Sequence, residues 1–441
     1  MSILIQNGTL VTMNQGREVF QGDIYIEGDR IAAIGQVPAR ADRIIDARGQ
    51  LVIPGLIQPH IHLCQTLFRG RADDMELLNW LRLRTWPLEG AHDAESLYYS
   101  ALLGIGELFL SGTTTIVDME TVHHTDAAIE AIAESGIRAI TGKVMMDFGD
   151  DVPASLKEDT AASLQESVDL LEKWHGYDHG RIQYAFEPRF VVSCTEELLL
   201  EVRDLARRHG VKIHTHASEN RSECALVEQL HGRRNVLYLH DIALTGPDLI
   251  LVHCIWLNEE EKDILARTGT RVVHCPSSNL KIASGICPVP ELLDRGTVVS
   301  LAADGAPCNN NLDAFMEMRL AALIQKPLHG PTTMPAPLVF ELATLGGARA
   351  LGMEKEIGSL VVGKKADLAI VSLEGMHTQP VADIDVYTQL VYQARGSDVI
   401  LTMVDGKIVM EKGELKTIDA DEVIRQANEA VQRVARRAGL A

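Results

Sequence analysis

Residues suited to holding a metal ion and moving protons recur through the middle of the chain: His60-x-His62, His216 with Glu219, His253, His274 and Asp304. His60 and His62 are two apart, so on an extended chain both imidazoles project to one side. That spacing lets them share one ion at nitrogen–metal distances of about 2.1 Å. His216 and Asp304 complete a set of three nitrogens and one oxygen with a position left open for water, the layout of a catalytic site. Asp304 also reads as a helix N-cap, because Gly305 and a polar run follow it. Glu219, three residues past His216 in HASENRSE, can reach the same pocket without joining the metal shell, or can open the next helix as a solvated carboxylate. His253 ends the apolar run DLILVHC and could polarise a substrate or water, or stand as a satisfied strand-end histidine; His274 reads as a structural or supporting group. Three nitrogens and one oxygen suit Zn2+ first, while Fe2+, Mn2+ and Ni2+ tolerate the same donors. A second ion would need a bridging group such as a modified lysine in RIQYAFEP, which contains none, so a single divalent ion is expected.

Each of these residues follows an apolar run that reads as a strand. The candidates are 51–60, 113–119, 137–146, 181–188, 211–217, 248–254, 270–275 and 297–304. Helical patterns such as AAIEAIAESG, with its glycine stop, lie between them. Eight strands alternating with helices is the number an α/β fold of the (β/α)8 TIM-barrel type requires, a doubly wound open sheet being the alternative. In such a barrel, active-site residues sit at the C-terminal ends of the strands, where the histidines and Asp304 fall. No GxGxxG or GxxxxGK[ST] run follows any strand, which argues against a nucleotide cofactor. Both ends of the chain are different in texture, with short alternating strands bounded by turn residues. They suggest one small β-sandwich domain made from residues 1–54 and 356–441, the latter with an amphipathic helix over 420–438, around a barrel of 55–355.

Of the 441 residues, 41 are Lys or Arg and 61 are Asp or Glu, a net charge of −20, which disfavours nucleic acid or an anionic membrane surface as a partner. With 46% hydrophobic residues the chain can bury a large core. Residues 51–68 lack any charged side chain but contain Pro54, Pro59, His60 and His62, which argues against a spanning helix. The opening residues show no secretory pattern, and the seven cysteines include no CxxC pair. A cytoplasmic protein with reduced thiols and a small-molecule substrate is expected.

The pieces PGLIQPHIH, HASE, LVHC, VHCPSSNLKIASGICPVPELLDRG and LAADGAPCNNNLDAFMEMRLAALIQK, with IDARGQLVIPG and IGSLVVGKKADLAIVSL near the ends, resemble the amidohydrolase superfamily in its mononuclear aminohydrolase branch. Within it the chain is most similar to 5'-methylthioadenosine/S-adenosylhomocysteine deaminases, which carry a stretch like FRGRADDMELLNWLRLRTWPLEG. That resemblance implies hydrolytic release of ammonia from an aminated N-heterocycle. His60, His62, His216 and Asp304 would hold the ion, and Glu89 would hold a ribose diol. Lys143 stands where an arginine usually grips the nucleoside tail. Asp304 would take a proton from the attacking water, Glu219 would protonate a ring nitrogen, and His253 would stabilise the developing adduct. Arg189, in EPRFVVSC, departs from the deaminases' usual histidine and is closer to guanine deaminases, where an arginine touches the base. Guanine or pterin deamination and s-triazine amino- or chlorohydrolysis are the alternatives, with a cyclic-amide hydrolase or a non-catalytic assembly protein behind them. Related barrels associate, so a homo-oligomer is expected.

Overall fold

The computed structural model describes residues 1–38 and 40–440 and contains two nine-stranded sheets. One is a mixed sheet made from both ends of the chain. Its N-terminal strands are Ser2–Val11, Val19–Glu27, Arg30–Ile34, Arg43–Asp46 and Gln50–Pro54. They are joined to the C-terminal strands by the antiparallel pairing of Gln50–Pro54 with Leu368–Ser372. Alternation along Gln50–Pro54 serves two cores. Val52 packs with Ile3, Ile5, Ile24 and Leu368 inside the terminal sheet, while Leu51 and Ile53 join the large core shared with the rest of the chain.

The second sheet is an almost closed parallel barrel. Its strands are β1 (Leu56–Ile61), β2 (Thr113–Met119), β3 (Arg138–Gly142), β4 (Ile182–Pro188), β5 (Lys212–Ala217), β6 (Leu249–His253), β7 (Arg271–His274) and β8 (Val299–Leu301). The eight expected strands are all present. The first was drawn too long, because 51–60 divides at Gly55 into a strand of the terminal sheet and β1. Only glycine fits there, since a Cβ would lie 2.1 Å from Thr114 Oγ1. The third expected strand also breaks, into β3 and the short Val144–Met145, which pairs with the end of β4. Ile57, Val117, Ile140, Ala185, Ile250, Val252, Val273 and Ala302 fill the barrel interior, so it is a packed core with room for chemistry only at its mouth.

Gln58 closes the seam between β8 and β1. Its Oε1 accepts from Ala303 N at 2.9 Å, and its Nε2 donates to Thr113 Oγ1 and Leu312 O. Asp304 N donates to His60 O across the same gap. The C-terminal helix, Ala420–Arg437, buries Ala427, Ala430 and Val434 against Phe68 and Leu88, beneath the segment that covers the mouth. Among the described residues no helix is long and apolar enough to cross a membrane.

Candidate metal centre and substrate wall

Strand ends deliver the histidines. His60 lies near the end of β1 with His62 just beyond it, His216 sits near the end of β5, and His253 is the last residue of β6. Asp304 follows β8 by three residues in a left-handed conformation (φ 68°), which puts its carboxylate over the mouth. Ser218 and His253 are also left-handed, with φ of 54° and 72°. Such strained non-glycine backbone gathers where the surrounding structure fixes a functional geometry.

The five groups converge. Donor atoms of His60, His62 and Asp304 lie within 4.8 Å of one another, as do those of His60, His216 and His253. Asp304 Oδ1 is 3.2 Å from His60 Nε2 and 3.5 Å from His62 Nε2. His62 Nδ1 is 2.8 Å from Met119 O, and His216 Nδ1 is 2.7 Å from Arg189 O. A carbonyl only accepts, so both rings carry their proton on Nδ1 and turn an Nε2 lone pair to the centre. Burial, then the neighbouring imidazoles, push His62 and His216 well below the usual histidine range, which keeps them neutral as ligands must be. His60 Nε2 is buried without a hydrogen-bond partner. An unpartnered ring nitrogen beside a carboxylate and two inward lone pairs fits a divalent ion, and the N and O donors suit zinc.

Glu219 and His253 stand beside this centre, with Glu219 Oε2 3.5 Å from His253 Nε2 and Asp304 Oδ2 3.9 Å from the same nitrogen. Burial, with the like charges of Asp304 and Glu223, pushes the Glu219 carboxyl well above its usual range. Burial alone would raise Asp304 too, but positive charge at His60, His253 and His62 holds that carboxyl well below the usual range, a role that a divalent ion would take over with the rings neutral. Two carboxyl groups in one pocket are thus driven apart, the pattern that separates an acid from a base. Burial lowers His253 to about 4, so its ring is neutral. His253 Nδ1 lies 2.8 Å from Asn279 Oδ1, so with that proton committed its Nε2 is an acceptor, not the donor to an adduct that the sequence suggested.

Two supporting residues escaped the sequence reading. Pro276 opens the short helix Pro276–Lys281, which turns Ser278 and Asn279 inward; the Ser278 hydroxyl donates to Asp304 Oδ2 at 2.6 Å. Their one signal is a Pro-Ser-Ser-Asn run that begins two residues after the strand-end His274. His274 is buried behind His253 and does not line the cavity.

The opposite wall is a buried ion pair under a cover. Arg189 donates to both oxygens of Glu89, at 2.6 and 3.1 Å, and Gln65 Nε2 donates to Glu89 Oε1 at 2.8 Å. Gly305 lets Gln65 approach closely, since a Cβ would lie 2.1 Å from Gln65 Oε1 and push that side chain aside. Lys143 does not reach this wall. Its Nζ is fully buried between both oxygens of Glu158, at 2.6 and 2.7 Å, so its charge is already neutralised and unavailable to a nucleoside tail. Leu77, Trp80 and Leu81, in a segment that includes a π-helical turn over Leu81–Thr85, cover the mouth together with Phe190 and Ile282. The remaining cavity is about 20 Å³, far below the roughly 300 Å³ of an ordinary ligand pocket, so a heterocycle enters only when this cover shifts.

Comparison with known proteins agrees with this geometry. The chain is 41% identical over 413 residues to a 5'-deoxyadenosine deaminase of Methanothermobacter thermautotrophicus, covering 93% of this chain and 94% of that protein. It is 39% identical to a 5-methylthioadenosine/S-adenosylhomocysteine deaminase of Moorella thermoacetica, covering 98% and 99%. The crystal structure of an adenosine deaminase from Xanthomonas campestris with bound zinc superposes with a TM-score of 0.91 at 31% identity, covering 98% of each chain. The profile of the amidohydrolase family matches residues 51–409, and the chain belongs to that family.

Proposed function

We propose that this chain hydrolytically removes ammonia from an amino-bearing N-heterocycle, foremost an adenosine-type nucleoside such as 5'-methylthioadenosine or S-adenosylhomocysteine. The observation that carries this reading is the grouping of Glu219 and Asp304 about His253 Nε2, at 3.5 and 3.9 Å, beside an unpartnered ligand nitrogen. His60, His62, His216 and Asp304 are the residues that would hold one divalent ion, zinc before iron, manganese or nickel. Bound there, such an ion supplies a water whose pKa falls from about 15.7 toward about 7.

The side chains divide the remaining work. Asp304, kept in place by the Ser278 hydroxyl, takes a proton from the attacking water. His253 Nε2 accepts a hydrogen bond from that water and aims its lone pair at the amino-bearing carbon. Glu219 gives its proton to the adjacent ring nitrogen, which makes that carbon electrophilic. Asp304 then passes its proton to the departing nitrogen, the C–N bond breaks, and the adduct hydroxyl proton returns to Glu219. Atoms balance as substrate plus water giving lactam plus ammonia. The Glu89–Arg189 pair forms the recognition wall, and Glu89 would meet a ribose diol once the cover that keeps it out of the cavity shifts.

One observation favours a second reading of the substrate. Arg189, and not Glu89, lines the cavity, which suits an arginine contact to the edge of an oxo-bearing purine or pterin base. Ammonia release from metal-loaded protein across 5'-methylthioadenosine, S-adenosylhomocysteine, adenosine, guanine, a pterin and an aminotriazine decides between them. Nucleosides are expected to lead. Turnover of guanine or pterin alone would move the assignment to a base deaminase, and no ammonia from any member would overturn the deaminase reading.

A further inference from the structure

One ligand is oriented differently from the others. His62 and His216 each face a backbone carbonyl, which can only accept, so the direction of their hydrogen bonds is settled locally. His60 Nδ1 instead lies 3.0 Å from His214 Nε2, and an imidazole nitrogen can either donate or accept. Without a further partner this contact would leave His60 free to carry its proton on either nitrogen. The wrong choice would block the Nε2 lone pair. The further partner is present, since His214 Nδ1 lies 3.0 Å from Glu187 Oε1. Glu187 lies next to the end of β4 and His214 lies on β5, and His60, His214 and Glu187 are all fully buried.

We propose that Glu187 and His214 are positioning residues for the metal centre, a side-chain relay that fixes the tautomer of His60. Glu187 Oε1 accepts from His214 Nδ1–H; His214 Nε2 therefore has only a lone pair to offer and accepts from His60 Nδ1–H. His60 Nε2 is left unprotonated and pointed at the centre, where it has no hydrogen-bond partner in the protein. Glu187 Oε2 is buried without a hydrogen-bond partner, so Oε1 is the oxygen that meets His214. The relay also accounts for the carboxyl on β4: it faces a histidine of the next strand and does not bridge a second ion.

The inference rests on the one-metal reading above, and the test separates the two. Zinc affinity is measured by chelator competition on the full chain, with the melting temperature of each metal-free protein alongside. Glu187→Leu and His214→Phe remove the acceptors and are expected to weaken zinc binding about 10- to 100-fold, the range for removing a partner behind a ligand. Glu187→Gln and His214→Gln each retain an amide oxygen that can accept at the same place, and should recover most of that loss. A merely structural role would make affinity follow melting temperature without this rescue. If His214→Phe fails to fold, the two Glu187 variants still decide the matter. Zinc affinity in the Leu and Phe variants within about threefold of the parent would overturn the relay, as would equal losses in the Gln variants. A parent protein that holds no zinc would instead defeat the one-metal reading.

Discussion

The two walls of the barrel mouth are built by opposite means. The metal-facing wall comes from residues at or just past the ends of β1, β5, β6 and β8, whose register is set by the parallel ladders and the packed interior beneath. Its imidazoles are tied at Nδ1, and burial holds His62, His216 and His253 neutral. The recognition wall comes from the covering segment between β1 and the helix Ala94–Leu110, joined to the rest by the Glu89–Arg189 pair and by the Ser222 hydroxyl on Glu76. On the proposed reading, strand ends would hold the reagents and the cover would select what reaches them. The same chemistry can therefore be kept while the cover is rewritten for another heterocycle.

The sharpest way to break this division is at Glu219. Glu219→Gln removes the proton donor, not a ligand, so kcat should fall about 10³-fold with zinc content unchanged. Because the folded-state carboxyl is raised, the active acid form is present below its pKa and lost as pH rises through it. The parent enzyme should accordingly lose kcat on an alkaline limb, and that limb should be missing from the residual activity of the variant. Activity within tenfold of the parent would remove Glu219 from the mechanism. Lys143→Met tests the boundary of the recognition wall. Leaving half-buried Glu158 without its partner should cost about 2 kcal/mol of unfolding free energy in a denaturant titration, with KM unmoved. A large rise in nucleoside KM with stability intact would return Lys143 to the substrate. The smallest effect is expected from Glu89→Gln, which weakens a charged hydrogen bond and should raise nucleoside KM about tenfold while sparing free bases. An equal rise for both would place the pair against the base.

How far these features could be read from the sequence depends on distance along the chain. Strand ends were legible because an apolar run terminating in His or Asp reports its own geometry, and the two-residue spacing of His60 and His62 states which way they face. Gly55 was less visible, since the need for glycine comes from Thr114 on a neighbouring strand. The fate of Lys143 depends on Glu158, brought against it by the helix Thr160–Trp174 and its preceding loop, and nothing in ITGKVMMD signals that pairing. Ser278 and Asn279 carry no local signal of their role, because polar residues after a strand usually meet water. Pro276 opens the short helix, but which of its polar residues face inward is not stated by the run itself. The hydrogen-bond direction at His253 could be set only by its contact with Asn279.

The seam at Gln58 has a consequence for the order in which the protein becomes competent. The HxH pair belongs to the first barrel strand and Asp304 follows the last, and they meet only when that seam shuts. During synthesis the two imidazoles emerge long before the carboxylate, so a nascent chain holds an incomplete donor set through most of its production. A product ending before β8 lacks Asp304, and with it the complete donor set, even if its earlier strands fold. The complete set forms only in a finished barrel, which makes ion capture a late checkpoint and a tie between the two ends of the barrel.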